Sequence, residues 1–192
     1  MEILYLSEYN LLSIKDFCHV RVEDRIKINN SIEENLSIFI RAGGKFWDGS
    51  QGIGNFPLDK DETLFFSHIY ENFKDLCYKL FGNFHISSHN QTTCWCCRSN
   101  IKESICEWHN HLYTSTINGV YYYQVEGDGI FFKRYGKEFH YIPQQGELLI
   151  FPNDLDHKPA VATSETQRYS LNMELITQES ASTLFKNLYG LS

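Results

Sequence analysis

The sequence predicts a mainly β chain with flanking helices, of sandwich or barrel type, and three observations carry that expectation. From residue 84 to residue 175, short stretches rich in aromatic and β-branched residues recur, at the roughly 8–12-residue spacing typical of sandwiches and barrels. Aromatic residues make up 15% of the chain, with 14 Phe and 12 Tyr, side chains that suit a pleated, half-buried surface. The one long helical pattern lies ahead of the β-rich region rather than between its strands. The 192 residues, 42% hydrophobic and 21% charged, suit a single domain with a real core. It is expected to divide into helical or mixed support over residues 1–90 and a β core over 91–178.

Taken in order, residues 1–40 read as mixed structure. "SIEENLSIFIRAGG" reads as a short helix from Ser31, with Ser31 as its cap and Gly43-Gly44 as its stop. "KFWDGSQGIGNFPLDK", residues 45–60, holds three glycines and a proline and reads as a loop. Over residues 61–81, Leu64, Phe65, Ile69, Phe73, Leu76, Cys77 and Leu80 fall at three- and four-residue steps. That spacing makes one apolar stripe on a helix, and Gly82 is placed to end it. "FHISSHNQTTCWCC", "INGVYYYQVEG", "GIFFKR", "FHYIPQQG", "GELLIFP" and "RYSLNMELI" then follow as strands, separated by Gly, Pro or Asn-Asp signals. "SASTLFKNLYG" closes the pattern as a short helix.

Charge and targeting narrow the function classes. The net charge is −7 and no basic run is present, so a nucleic-acid backbone is a poor partner. The N-terminus lacks a signal pattern and no apolar run nears the roughly 18–20 residues a membrane span requires. The expectation is a soluble, cytoplasmic protein whose six cysteines are reduced thiols. Cys94, Cys96, Cys97 and Cys106 lack the spacing of a zinc site. On a strand Cys97 faces away from Cys94 and Cys96. Buried Cys as a small hydrophobe is the simpler reading, and Cys106 is a thiol exposed to damage if an oxidising centre lies nearby.

Three histidines stand out. In "CEWHNHLY", His109 and His111 are two residues apart, so on a strand they share a face. His157 follows "GELLIFPNDLDH", where Pro152 and the Asn-Asp turn end a strand and place His157 at a rim. In an antiparallel jelly roll the ends of distant strands meet at one mouth. Three imidazoles there would form a facial triad with positions left open on an iron. The bland alternative is polar surface histidine, the reading given to His19, His68, His85, His89 and His140. Arg168 and Ser170 share a face of the last strand. An Arg fork beside a hydroxyl is built for carboxylate recognition, the alternative being a salt bridge to an acidic residue of the same core.

Together His109-x-His111, "INGVYYYQV", "GELLIFPNDLDH" and Arg168-x-Ser170 resemble the iron(II)/2-oxoglutarate-dependent oxygenases, most nearly the small phage- and bacterium-type hydroxylase-like branch. The likeness covers residues 105–175. It implies a double-stranded β-helix (jelly roll, cupin-like) with Fe(II) held at its mouth by His109, His111 and His157. It also implies 2-oxoglutarate as cosubstrate, anchored by Arg168 and Ser170 with Tyr121 or Tyr123 as a further hydrogen-bond partner, and O₂ as oxidant. The implied reaction couples decarboxylation of 2-oxoglutarate to C–H oxidation of a small molecule, amino acid or peptide. Most of that superfamily has Asp or Glu where this chain has His111. "GELLIFPNDLDH" also resembles the second cupin motif, with Asp154 where Gly is usual. Two alternatives therefore stand: a three-histidine thiol dioxygenase without 2-oxoglutarate, and a metal-free β-barrel binding module. The loop at 45–60 and "RYGKEF" at 134–139 are candidate lids or substrate contacts.

Overall fold

The protein is described by a computed structural model covering residues 1–34, 60–87, 93–99, 107–125, 127–166, 168–186 and 188. Of the loop expected at 45–60, residues 45–59 lie outside the described residues and Lys60 opens a helix; the Gly43-Gly44 stop, His89 and Cys106 also lie outside them.

An N-terminal hairpin comes first, strands β1 (Glu2–Leu6) and β2 (Leu11–Lys15). Helix α1 spans Val22–Glu34. It begins earlier than the helix expected from Ser31, which sits inside it; Arg21 forks onto Asp24 at 2.7 and 2.9 Å across the first turn. Ile28 and Ile32, one turn apart, are its buried residues. Helix α2 spans Lys60–Phe81, close to the range its apolar stripe predicts. Gly82 follows at φ 77°, the left-handed conformation that terminates a helix without a Cβ penalty. The strands are then β3 (Thr93–Ser99), β4 (Ile117–Gln124), β5 (Ile130–Arg134), β6 (Lys137–Tyr141), β7 (Glu147–Pro152), β8 (Asp156–Pro159) and β9 (Arg168–Leu175), before the short helix α3 (Ala181–Lys186).

Two antiparallel sheets result. The larger runs β1-β2-β7-β4-β9-β3 and the smaller β6-β5-β8, a jelly-roll arrangement of the double-stranded β-helix type. The N-terminal hairpin is thus part of the main sheet, β2 pairing with β7. The main sheet is covered on both sides, which is why β4 and β7 are buried almost along their whole length. Alternation sorts their side chains. Tyr121, Tyr123, Leu148, Ile150, Leu171 and Met173 pack with Phe66, Ile69, Phe73 and Cys77 of α2. Val120, Tyr122, Leu149 and Phe151 meet Ile130 and Phe132 of the smaller sheet. Gly119 lets α2 come this close, because a Cβ there would lie 2.6 Å from the Phe73 ring.

Candidate metal centre

The ligand nitrogens of His109, His111 and His157 lie within 4.8 Å of one another. Each residue is placed by backbone pairing. His109 and His157 form a β-bridge, exchanging N–H···O bonds of 3.0 and 2.9 Å. The His111 amide donates to the Asn153 carbonyl at 2.9 Å, and Asn110 donates to Asp156 at 2.8 Å. The loop carrying the two close histidines is thereby tied to the start of β8. His157 is not on a rim turn as the sequence suggests. It lies within β8 and is 5% exposed, because Asp156–Pro159 continues as a strand against β5.

The tautomers follow from the neighbours. Nδ1 of His109 faces the Glu107 carbonyl at 3.0 Å and Nδ1 of His157 faces the Leu155 carbonyl at 2.9 Å. A carbonyl only accepts, so in both rings Nδ1 carries the proton and Nε2 keeps its lone pair. Nδ1 of His111 lies 2.6 Å from Oε1 of Glu174, a carboxylate that also accepts from the Thr114 hydroxyl at 3.2 Å. His111 therefore points its own Nε2 inward, 3.3 Å from Nε2 of His157. The two nitrogens are within hydrogen-bond reach of each other, and ligands about 2.1 Å from one ion also lie about 3.0–3.4 Å apart. Burial is the main cause that lowers the pKa of His109 and pushes that of His157 well below its usual range, the neighbouring imidazoles adding to it. Both rings are kept in the neutral form that binds metal. The donor set fits a divalent transition ion such as ferrous iron. Among the described residues no cysteine joins such a cluster.

The same cavity, about 320 Å³, extends from the histidines to Arg168, Ser170 and Tyr122. That is the size of a small-ligand site. Arg168 is 7% exposed, yet among the described residues its one hydrogen bond is a 3.4 Å contact to the Gly129 carbonyl. Among the described residues no carboxylate pairs with it, so the salt-bridge alternative finds no partner there. A buried guanidinium in this state calls for an anion. Ser170 stands directly across from Tyr122 on paired strands β9 and β4.

The two tyrosines expected to face the cosubstrate do not. Tyr121 donates to the Cys18 carbonyl at 2.9 Å and Tyr123 contacts Sγ of Cys96 at 3.3 Å. Both belong to the helix-facing core; Tyr122, the residue between them, lines the cavity. Burial pushes the Tyr122 phenol well up against the opposing pull of Arg168, so it is a hydroxyl donor. Sequence reasoning also missed Glu174 and Asn118. Asn118 is 3% exposed and lines the cavity; its Oδ1 accepts from Ser115 at 2.7 Å while its Nδ2 has no partner among the described residues. Cys94 and Cys96 are buried on the helix side while Cys97 lines the cavity, the separation expected of a strand. Trp108 edges the cavity with the Lys158 ammonium 4.6 Å from its ring centroid. The "RYGKEF" segment is the turn of the β5–β6 hairpin, with Tyr135 at its exposed tip.

No protein-family model and no curated protein sequence matches the chain. Solved structures do. A prolyl 4-hydroxylase from Phytophthora capsici superposes with a TM-score of 0.62 at 14% identity, covering 90% of this chain and 60% of that one. A Pseudomonas putida prolyl-4-hydroxylase gives 0.57 at 12% identity, over 91% and 96% of the two chains. A Shewanella oneidensis protein assigned as an oxygenase gives 0.60 at 12% identity, over 96% and 91%. The chain therefore spans less than two thirds of the Phytophthora protein and nearly all of the other two. At such identities the likeness is one of fold.

Proposed function

We propose that the protein is an iron(II)- and 2-oxoglutarate-dependent oxygenase acting as a hydroxylase on a small molecule, an amino acid or a peptide side chain. The observation that carries this reading is Arg168: a buried guanidinium with no carboxylate partner among the described residues, lining one cavity with three convergent imidazoles. A ligand with a carboxylate at one end and a metal-chelating group at the other satisfies both. 2-Oxoglutarate is such a molecule, and the sequence motifs resemble those of the enzymes that use it. The neighbours described as prolyl 4-hydroxylases share the fold and are in keeping with the reading.

The residues take these roles. His109, His111 and His157 would hold the ferrous ion through Nε2, each with Nδ1–H anchored on an oxygen acceptor. Arg168 binds the far carboxylate of 2-oxoglutarate, with the Ser170 and Tyr122 hydroxyls as added donors. The unpartnered Nδ2 of Asn118 is a further donor to a bound carboxylate or carbonyl. Val120, Ile130 and Phe151 close the cavity walls against water. When bound, iron supplies the O₂ chemistry, in which substrate R–H, O₂ and 2-oxoglutarate give R–OH, succinate and CO₂.

The three-histidine thiol dioxygenase would leave Arg168 with no role, and a metal-free binding module would leave the convergence of three histidines without one. Both fit less well. The test is succinate release in air from protein reconstituted with iron and given 2-oxoglutarate, with and without ascorbate. Turnover to succinate is expected. No succinate, together with no anaerobic binding of 2-oxoglutarate to the Mn²⁺-loaded protein, would overturn the proposal; thiol-dependent O₂ uptake without 2-oxoglutarate would favour the thiol enzyme.

A further inference from the structure

The resemblance leaves one electrostatic gap. Where related sequences carry an Asp or Glu metal ligand, this chain has His111, so the ligand set loses one negative charge. A carboxylate is nonetheless present on the far side of the His111 ring, one hydrogen bond away. Glu174 lies on β9, 3% exposed, on the cavity face at a position cross-strand from Asn118. Its Oε1 is 2.6 Å from Nδ1 of His111 and accepts from Thr114 at 3.2 Å. Arg168, six residues back on the same strand, occupies the other end of the cavity. Among the described residues Glu174 has no Lys or Arg partner. A buried carboxylate of this kind is costly without a charged or strongly polarised neighbour.

We propose that Glu174 is a positioning residue of the metal centre. Acting through the His111 Nδ1–H, it fixes the ring's tautomer and orientation and returns to the site the negative charge that a carboxylate ligand supplies directly elsewhere. Imidazole polarised by a carboxylate is a better electron-pair donor than imidazole on a neutral acceptor, and partners of this kind change metal affinity by about 10–100-fold. His109 and His157 have carbonyl acceptors instead, so the third ligand alone has an anionic one. The charge-deficient ligand is the one so supported. This inference rests on the metal reading above and adds to it a role for a residue outside the ligand set.

The test reads Co²⁺ affinity of the full chain from its visible d–d absorption under anaerobic conditions. Glu174→Gln keeps size and can still accept from Nδ1–H, but carries no charge. It is expected to weaken Co²⁺ binding by about 10–100-fold and to shift the d–d bands, while Glu174→Asp recovers part of the affinity. In a His111→Ala background, Glu174→Gln is expected to have little further effect, because the two residues act as one unit. Cu²⁺ loaded into the unmodified protein, examined by pulsed electron paramagnetic resonance, is expected to report three coordinated imidazoles. That count needs no variant to fold. Equal Co²⁺ affinity and spectra for Glu174→Gln and unmodified protein would overturn the inference and leave the metal reading standing, whereas a count of two imidazoles would overturn the inference and also reduce the proposed ligand set by one histidine. Absence of Co²⁺ binding to the unmodified protein would overturn both.

Discussion

The two faces of the main sheet carry the same residue types and treat them differently. On the helix side, the tyrosine hydroxyls of the core are paired. The Tyr121 hydroxyl is donated to Cys18, Tyr123 meets Cys96, and Tyr70 donates to the Glu174 carbonyl at 3.2 Å. Aromatic rings fill the remaining volume, Phe65 lying against Tyr123 and Phe66. On the cavity side, among the described residues, Arg168 has one weak contact, Asn118 Nδ2 has none, and three imidazoles converge. Adjacent residues of one strand, Tyr121 and Tyr122, fall on opposite sides of this division. Burial alone does not separate the two faces of this sheet; the pairing of the polar side chains on its strands does.

The largest effect that can break this comparison is expected on the helix side. Phe73→Ala should lower stability by about 3–5 kcal/mol, as for other buried aromatic truncations, because the Phe73 ring is fully buried against Gly119. Denaturant unfolding would read this, and Co²⁺ affinity of the folded fraction should be unchanged. On the cavity side, His157→Ala should reduce Co²⁺ affinity at least a hundredfold by removing one of three ligands, read by the same absorption titration. Retained affinity would show that the cluster is not a metal site.

The next effect is a pH dependence of the metal-free protein. Burial holds His157 well below its usual 6.5 in the folded chain. Below pH 6.5 the unfolded chain therefore takes up a proton that the folded chain refuses. Stability should fall as pH drops from about 6.5 towards the folded value, by at most about 1.4 kcal/mol per pH unit for this one group. Thermal unfolding from pH 7.5 to pH 5 would show the slope, and His157→Gln should flatten it. The smallest effects sharpen the division most. Tyr121→Phe should cost about 1 kcal/mol of stability and leave 2-oxoglutarate binding alone. Tyr122→Phe should weaken that binding severalfold with little change in unfolding. The reverse pattern would put the cavity on the other face.

Much of this architecture is legible in the residues themselves. The apolar stripe of residues 61–81 has a single period and became α2 almost residue for residue. Five aromatic or β-branched runs became β4, β5, β6, β7 and β9. The three histidines and the Arg168-x-Ser170 pair were visible because their residue types are uncommon in strands. What escaped did so for physical reasons. "DHKP" is four residues long, polar and ends in proline, so β8 has no strand signature of its own and takes its form from pairing with β5 and His109. "INGVYYYQ" is buried on both faces, so it shows no hydrophobic alternation, and the choice between Tyr122 and its neighbours was unreadable. Glu174 sits in the apolar run "NMELI", where a carboxylate resembles an outward-facing strand residue. Only the return of β9 to the histidine end reveals its partner. Helix α1 has just two buried positions, too weak a stripe to fix its start.

The central claim is that one dicarboxylate spans the cavity between the histidine-held ion and Arg168. The most direct measurement is the dissociation constant of 2-oxoglutarate on the anaerobic Mn²⁺-loaded protein, compared between the unmodified chain and Arg168→Ala. Removing one partner of a buried charge pair costs about 2–5 kcal/mol, so affinity should fall by a factor of about 30 or more, with Mn²⁺ binding itself unchanged. Equal 2-oxoglutarate affinity in the two proteins would contradict the account.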